Sequence, residues 1–248
     1  MSNNCNGYLG LVTFMIDIQQ LIEADQNLLL TLNGSDSMFW DGFMWIVSGT
    51  KIWIPVAAVL LYVIFKNTKF TQGLLILVMI ALSVTLADQF SSGFCKPFFM
   101  RFRPAQDPEI MYMVHVVNGY RGGLYGFISS HAANTFALAT FISLLIRSRW
   151  MTMTMFIWAL LLSYSRIYLG VHYPGDIVCG AAAGCIIASL VYWLYTFIRK
   201  RYFEQPQYVS GQYTLTGFEV TDIAIFHTVL LLTYFYAVMA ALVVSNLF

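Results

Sequence analysis

Six stretches along the chain, at about 43–65, 73–94, 127–146, 151–169, 176–198 and 222–247, carry the run of about 20 largely apolar residues that a bilayer-crossing helix needs. Lys51 and Pro55 interrupt the first of them near its start. Ahead of them, the segment IDIQQLIEADQNLLLTLNG (16–34) sets Ile18, Leu21, Ile22, Leu28, Leu29 and Leu32 at roughly helical spacing, with acids and amides between. Asp17, Glu23 and Asp25 argue against a spanning segment. The stretch at about 15–33 is therefore expected to lie along the membrane surface as an amphipathic helix, closed by Asn33-Gly34. The pattern predicts an all-α, polytopic membrane helix bundle with about six transmembrane helices plus this N-terminal interfacial helix. With no internal repeat visible, residues 1–248 are expected to form a single membrane-embedded domain.

Composition agrees with a bilayer environment. The chain has 248 residues, 59% hydrophobic and only 10% charged, whereas a soluble domain carries about 25% charged residues. A net charge of +1 provides no global field for nucleic acid, and none is expected as a partner. Cys5, Cys95, Cys179 and Cys185 show no metal-ligand spacing, and Cys179 and Cys185 read as small buried hydrophobes. The first twenty residues lack the positive region of a signal peptide, so insertion is expected to rely on the internal spans.

The connections then set orientation. KNTK (66–69), RSR (147–149) and RKR (199–201) follow the first, third and fifth spans and hold seven of the thirteen Lys and Arg residues. The positive-inside bias makes that face cytoplasmic. The opposite, outer face receives the ends of spans two and four, the starts of spans three and five, and both termini. The long polar insertion 95–126 also lies there.

Three segments carry ionisable side chains to that outer face: KPFFMRFRP with Lys96, Arg101 and Arg103; FISSH with Ser129, Ser130 and His131; and SRIYLGVHYPGD with Arg166, His172 and Asp176. Charge inside a membrane protein is costly enough to mark a site. Guanidinium and ammonium groups without matching carboxylates suit a multiply charged anion, most simply a phosphate, with Arg offering a planar fork of donors. Ser129, at a helix start, can add a hydroxyl and nearby backbone N–H groups. Two histidines beside a phosphate supply a nucleophile and an acid. Asp176, four residues after His172, is placed to fix that imidazole's tautomer. Cationic side chains neutralise the developing charge, so no metal or other cofactor is expected.

The order K-x6-R-P, S-x-H, S-R-x5-H-x3-D resembles the type 2 phosphatidic acid phosphatase superfamily, which includes lipid phosphate, undecaprenyl pyrophosphate and lipid A phosphatases and vanadium haloperoxidases. Lys96 and Arg103-Pro104 match the first motif, Ser129 and His131 the second, and Ser165, Arg166, His172 and Asp176 the third; together they span 96–176. The resemblance implies that His172 forms a phosphohistidine oriented by Asp176. It implies that His131 protonates the leaving group, and that Lys96, Arg103, Ser129 and Arg166 hold the phosphate; Ser130 is expected to join them through its backbone N–H. One departure stands out: the family's second motif usually reads P-S-G-H, and here it is I-S-S-H, with Ser130 in the glycine's place.

Other positions read as structural. His115 and His227 match no motif, Asp88 suits an interhelical hydrogen bond or a partner for Lys51, and Arg101 and Arg121 suit either a headgroup contact or a loop anchor. GAAAG (180–184) suits close packing within the bundle. Trp40, Trp45, Trp53, Trp150, Tyr168 and Tyr173 read as interfacial belts.

The expected function is hydrolysis of a lipid-linked phosphate or pyrophosphate at the outer face of a bacterial inner membrane, with the periplasm or exterior facing the site. Undecaprenyl pyrophosphate is the leading substrate; lipid A, phosphatidylglycerol phosphate and phosphatidate are the alternatives. A monomer in the bilayer is favoured. An anion or lipid transporter is the rival of another class, but its charges belong near the midplane in matched halves.

Overall fold

The computed structural model describes residues 3–203 and 211–246, with side chains from 18 to 203 and from 211 to 245. The side chains of Cys5 and Asp17 and the last residue of the sixth predicted span lie outside what is described. The elements are α1 (Asn3–Leu32), α2 (Met38–Ser48), α3 (Ile54–Asn67), α4 (Phe70–Asp88), the short α5 (Lys96–Phe99), α6 (Ser130–Ile146), α7 (Arg149–Tyr168), α8 (Pro174–Tyr202) and α9 (Val220–Asn246). No β-strand occurs among the described residues; two isolated bridges, Phe102 with Tyr125 and Tyr213 with Glu219, are the extended pairings. The protein is an all-α, multi-pass membrane bundle.

Each predicted span has its helix, but fewer of them meet the length and apolarity of a lone crossing. Phe70–Phe99, Pro174–Tyr202 and Val220–Ser245 do so individually, and Met38–Ser48 with Lys51–Asn67 makes a fourth as a pair bent by 65°. The break falls at the anticipated place, since Pro55 sits in the first turn of α3 and cannot continue an incoming helix. The Trp53 indole bridges it by donating to the Val47 carbonyl at 2.9 Å. α6 has 17 residues, about 26 Å of helix at 1.5 Å per residue, short of a ~30 Å hydrocarbon core. α7 carries Thr152, Thr154, Ser163, Ser165 and Arg166 among its apolar residues. α6 tolerates this because its neighbours enclose it: it packs against α4, α7 and α8, while α7 turns its polar residues to the bundle and leaves Ile157 and Leu160 exposed.

The contact between α6 and α8 depends on the GAAAG stretch. A Cβ on Gly180 would collide with the Ser129 carbonyl, and one on Gly184 with the Ala133 carbonyl, so only glycine lets the two backbones approach. α9 closes the other side against α2 and α3.

The N-terminal helix starts at Asn3, earlier than expected, and stops where Asn33-Gly34 predicts. Gly34 takes φ +66° and donates its N–H to the Tyr168 carbonyl at 3.1 Å. The Asn33 amide donates to the Tyr168 carbonyl at 2.7 Å and accepts the His115 N–H at 2.7 Å. These bonds dock the end of α1 onto the end of α7. Leu29 is fully buried there while Leu21 is 70% exposed, as suits a helix lying on the bundle rather than inside it.

The basic connections gather at one end. Lys66 pairs with the buried Asp222 at 2.6 Å, Asn67 accepts the Glu219 N–H at 2.8 Å, and Thr216 donates to the Ile146 carbonyl at 2.8 Å. The three motifs lie at the opposite end. The belt reading is corrected for three aromatics: Trp53, Tyr168 and Tyr173 are buried, each with an internal acceptor for its polar tip. Trp40, Trp45 and Trp150 are exposed.

Candidate active site

The first motif is shaped by an irregular turn. After Asp88 the helix widens into a π-helical segment, Gln89–Cys95, before α5, a distortion frequent at functional sites. It sets Ser92 beside Lys96: the Lys96 ammonium donates to Ser92 Oγ at 3.3 Å and to Ser130 Oγ at 2.5 Å, and the two hydroxyls lie 2.7 Å apart. Ser130, which replaces the family's glycine, thus supplies an acceptor that glycine cannot. Beyond α5 the chain runs extended, with Arg103 N–H donating to the Leu124 carbonyl and Gly126 N–H to the Arg101 carbonyl. In such a segment alternate residues share a face, so Arg101 and Arg103 both turn toward the start of α8.

Ser129 caps α6, its hydroxyl accepting the Ala132 N–H at 3.4 Å, and its own N–H donates to the Asp176 carbonyl at 3.0 Å. The second and third motifs are therefore joined through backbone. His131, in the first turn of α6, is exposed to the cavity beside it, within electrostatic range of Arg166, His172, Arg103 and Lys96.

His172 lies in the connection between α7 and α8 and is 1% exposed. Its Nδ1 faces Asp176 Oδ2 at 3.4 Å, and its Nε2 faces Arg103 Nη1 at 3.1 Å. Arginine only donates, so Nε2 is the unprotonated acceptor and Nδ1 carries the hydrogen. Burial, then the nearby cations Arg103, Arg166 and Lys96, hold this imidazole well below the usual histidine value, so it is neutral. Asp176 Oδ2 also accepts the Tyr173 N–H at 3.0 Å, which locks the carboxylate at the helix start.

Arg103 is anchored by Nε to the Tyr125 carbonyl at 3.1 Å and by Nη1 to the Val171 carbonyl at 3.2 Å. Gly122 and Gly126 lie against its side chain, where a Cβ would crowd it. Arg166 donates through Nη1 to Ser48 Oγ at 2.5 Å and through Nη2 to the Tyr120 hydroxyl at 3.4 Å. Its buried Nε has no protein partner, so one donor is left for an anion. All eight sequence-predicted site residues thus converge on one end of the bundle. Of the two uncertain arginines, Arg121 anchors the loop by donating to the Ala105 carbonyl at 2.8 Å. Arg101 pairs with Asp176 at 3.1 Å and with Asp25 at 2.8 Å.

Ser48 and Tyr120 were not singled out from the sequence, and Asp25 was read only as a polar position of the surface helix, because each lies in a segment without a motif. Asp88 accepts from the Asn134 amide of α6 at 3.2 Å, the interhelical bond expected of it. His115 lies 3.2 Å from Asp41, and His227 lies 3.1 Å from Thr154; both are structural.

Two cavities meet at the helix break. One of about 1110 Å³ reaches Arg166 and is lined by Trp45, Ser48, Lys51, Tyr120 and Tyr236 among others. The second, of about 360 Å³, reaches His131 and is walled by apolar residues of α3, α6, α7 and α9, including Leu60, Leu138, Met155 and Trp158. Ser48, Gly49 and Thr50 border both.

The model of the PAP2 superfamily matches residues 72–200. The chain belongs to this superfamily. It is 45% identical over 186 residues to a lipid A 4′-phosphatase of Bacteroides thetaiotaomicron, covering 74% of this chain and 80% of that one. A lipid A 4′-phosphatase of Porphyromonas gingivalis is 40% identical over 185 residues, covering 75% and 78%. An undecaprenyl-diphosphatase of Sulfolobus acidocaldarius is 29% identical over 180 residues, covering 72% and 77%. Among solved structures, a phosphatidylglycerolphosphate phosphatase from Bacillus subtilis shares the fold with a TM-score of 0.54 at 19% identity, covering 83% of this chain and 100% of that one. The protein is thus a PAP2 membrane lipid phosphatase, a hydrolase. The preference for undecaprenyl pyrophosphate is not supported: the relatives favour lipid A, given above as an alternative.

Proposed function

We propose that this PAP2 phosphatase removes the 4′-phosphate of lipid A at the outer face of the inner membrane, through a covalent intermediate on His172. The observation that carries the chemistry is the His172 ring, neutral, with Nε2 turned toward Arg103 and Nδ1 backed by Asp176. A phosphoryl group entering between Nε2 and Arg103 takes the guanidinium donors on its oxygens. Nε2 then bonds to phosphorus as the bond from phosphorus to the lipid oxygen breaks, and His131 protonates that oxygen. Asp176 stabilises the positive charge left on the His172 ring. Water, deprotonated by His131, attacks the phosphohistidine and releases phosphate and free imidazole. Lys96, Arg103, Arg166, Ser129 and Ser130 surround the anion throughout.

The substrate assignment rests on the two lipid A 4′-phosphatases, at 45% and 40% identity against 29% for the undecaprenyl-diphosphatase. The cavities at Arg166 and His131 supply room for a bulky headgroup and an apolar wall for an acyl chain. The test is phosphate release by the detergent-purified protein, with chelator present, from bis-phosphorylated lipid A and from undecaprenyl pyrophosphate. Lipid A is expected to be the better substrate, and mass spectrometry should locate the loss at the 4′ position. His172→Ala should release none. Faster turnover of undecaprenyl pyrophosphate would overturn the substrate, and an active His172→Ala variant the mechanism.

A further inference from the structure

Behind the nucleophile stands a chain of charges that reaches out of the motif region altogether. His172 leans on Asp176; Asp176 Oδ1 accepts from Arg101 Nη1 at 3.1 Å; Arg101 Nη2 donates to Asp25 Oδ2 at 2.8 Å. The Arg101 guanidinium carbon sits over the Tyr173 ring, 4.0 Å from its centre, a cation–π contact that helps hold the fork between the two carboxylates. Asp25 is on α1, outside the matched residues 72–200. Its other oxygen, Oδ1, accepts the Gly175 N–H at 2.8 Å, in the first turn of α8 and next to Asp176. Gly175 must lack a side chain here, since a Cβ would sit 2.8 Å from Asp25 Oδ2.

Charge balance gives this arrangement a consequence. Asp176 paired with Arg101 alone would be neutral overall, and the guanidinium would compete with the His172 ring for the carboxylate. Asp25 divides Arg101 between two carboxylates, so Asp25, Arg101 and Asp176 together carry one negative charge behind the ring. That charge favours the cationic ring present in the phosphohistidine and the transition state leading to it. The docking of α1 is firm enough to hold the geometry: Asp25 has 16% side-chain exposure, Leu29 is buried and Gln26 donates to Glu109 at 3.2 Å.

We propose that Asp25 is a positioning residue for catalysis: through Arg101 and Gly175 it sets the charge and orientation of Asp176 and hence of His172. This rests on the phosphohistidine reading given above.

The test uses the full-length protein in detergent and steady-state phosphate release from lipid A. Asp25→Asn keeps the shape and loses the charge; Gly175→Ala keeps the charge and displaces the carboxylate. Both are expected to lower kcat by about tenfold, as removal of an outer positioning partner does elsewhere, while KM stays near wild type. Asp25→Glu should restore part of the loss. Combining Asp25→Asn with Arg101→Gln should be no worse than Arg101→Gln alone, because both act on one path. Wild-type kcat in Asp25→Asn and Gly175→Ala overturns the proposal, as does multiplicative loss in the double variant. Loss of melting temperature in step with activity also overturns it, since that assigns a structural role. If His172→Ala stays active, the phosphohistidine reading itself fails; if His172→Ala is dead while the Asp25 variants are normal, only the positioning role fails.

Discussion

At the scale of single residues, the protonation state of His172 decides what the site can do before any substrate arrives. Burial and three nearby cations depress its value, and the facing Arg103 donor selects the tautomer with Nε2 free of hydrogen. The sign of the pH dependence follows. In the unfolded chain this histidine titrates near its ordinary value of about 6.5, while in the folded protein it resists protonation. Acidification through that value therefore protonates the unfolded state but not the native one. The stability present above about pH 6.5 is lost as pH falls toward the folded value. Melting temperature measured at pH 7.5 and at pH 5.5 should drop on acidification, and the drop should be smaller in His172→Gln. An equal drop in both would show that the imidazole is not held neutral. The residues that do this were legible in the sequence because their spacing in three motifs is restrictive. Ser48, Tyr120 and Asp25 were not, because an isolated serine, tyrosine or aspartate becomes part of a site only when the fold carries a motif residue to it.

At the scale of elements, the most informative one is the bent pair α2–α3. Lys51 and Pro55 announce an interruption, but sequence does not say that the interruption lies against Arg166. The end of α2 presents Ser48 to that arginine at 2.5 Å, and the break opens the cavities that border it. Lost helical bonding at Gly49 and Thr50 is tolerated where backbone lines a cavity rather than lipid. The role of Ser48 is then to pre-orient the guanidinium whose buried Nε awaits an acceptor. Ser48→Ala should lower kcat/KM for lipid phosphate by about tenfold, the loss of ~1.5 kcal/mol expected for a hydrogen bond to a charged group. Thermal stability should change little, since the remaining side chain fits the same space. An unchanged kcat/KM would mean that Arg166 is held by Tyr120 and packing alone. The length of apolar runs reported where helices run, and it placed the α8 and α9 spans within a few residues. α6 and α7 are shorter or more polar than a lone crossing, and the helices packed against them lie outside what a run of apolar residues reports.

At the scale of the whole molecule, charge is sorted along the bundle axis. Lys66, Arg147 and the run Arg199 to Arg201 mark one end, and the anion site marks the other. At the basic end Lys66 finds the buried Asp222, and at the other end Arg166 keeps a buried Nε donor beside the anion site. The basic end follows the insertion rule for short connections, whereas Lys96, Arg103 and Arg166 sit where that rule would not place them and are retained by chemistry. If the basic end faces the cytoplasm, the substrate must present its phosphate from the outer leaflet, as our functional proposal requires. Two exposed positions report the sidedness: Tyr112, 87% exposed near the site, and Trp150, 71% exposed at the basic end. In a background with Cys5, Cys95, Cys179 and Cys185 replaced by serine, a membrane-impermeant maleimide should label Tyr112→Cys in cells whose inner membrane is intact. Trp150→Cys should react only after that membrane is permeabilised. The reverse pattern would turn the bundle over, and the enzyme would then act on lipid phosphates of the cytoplasmic leaflet, before their export.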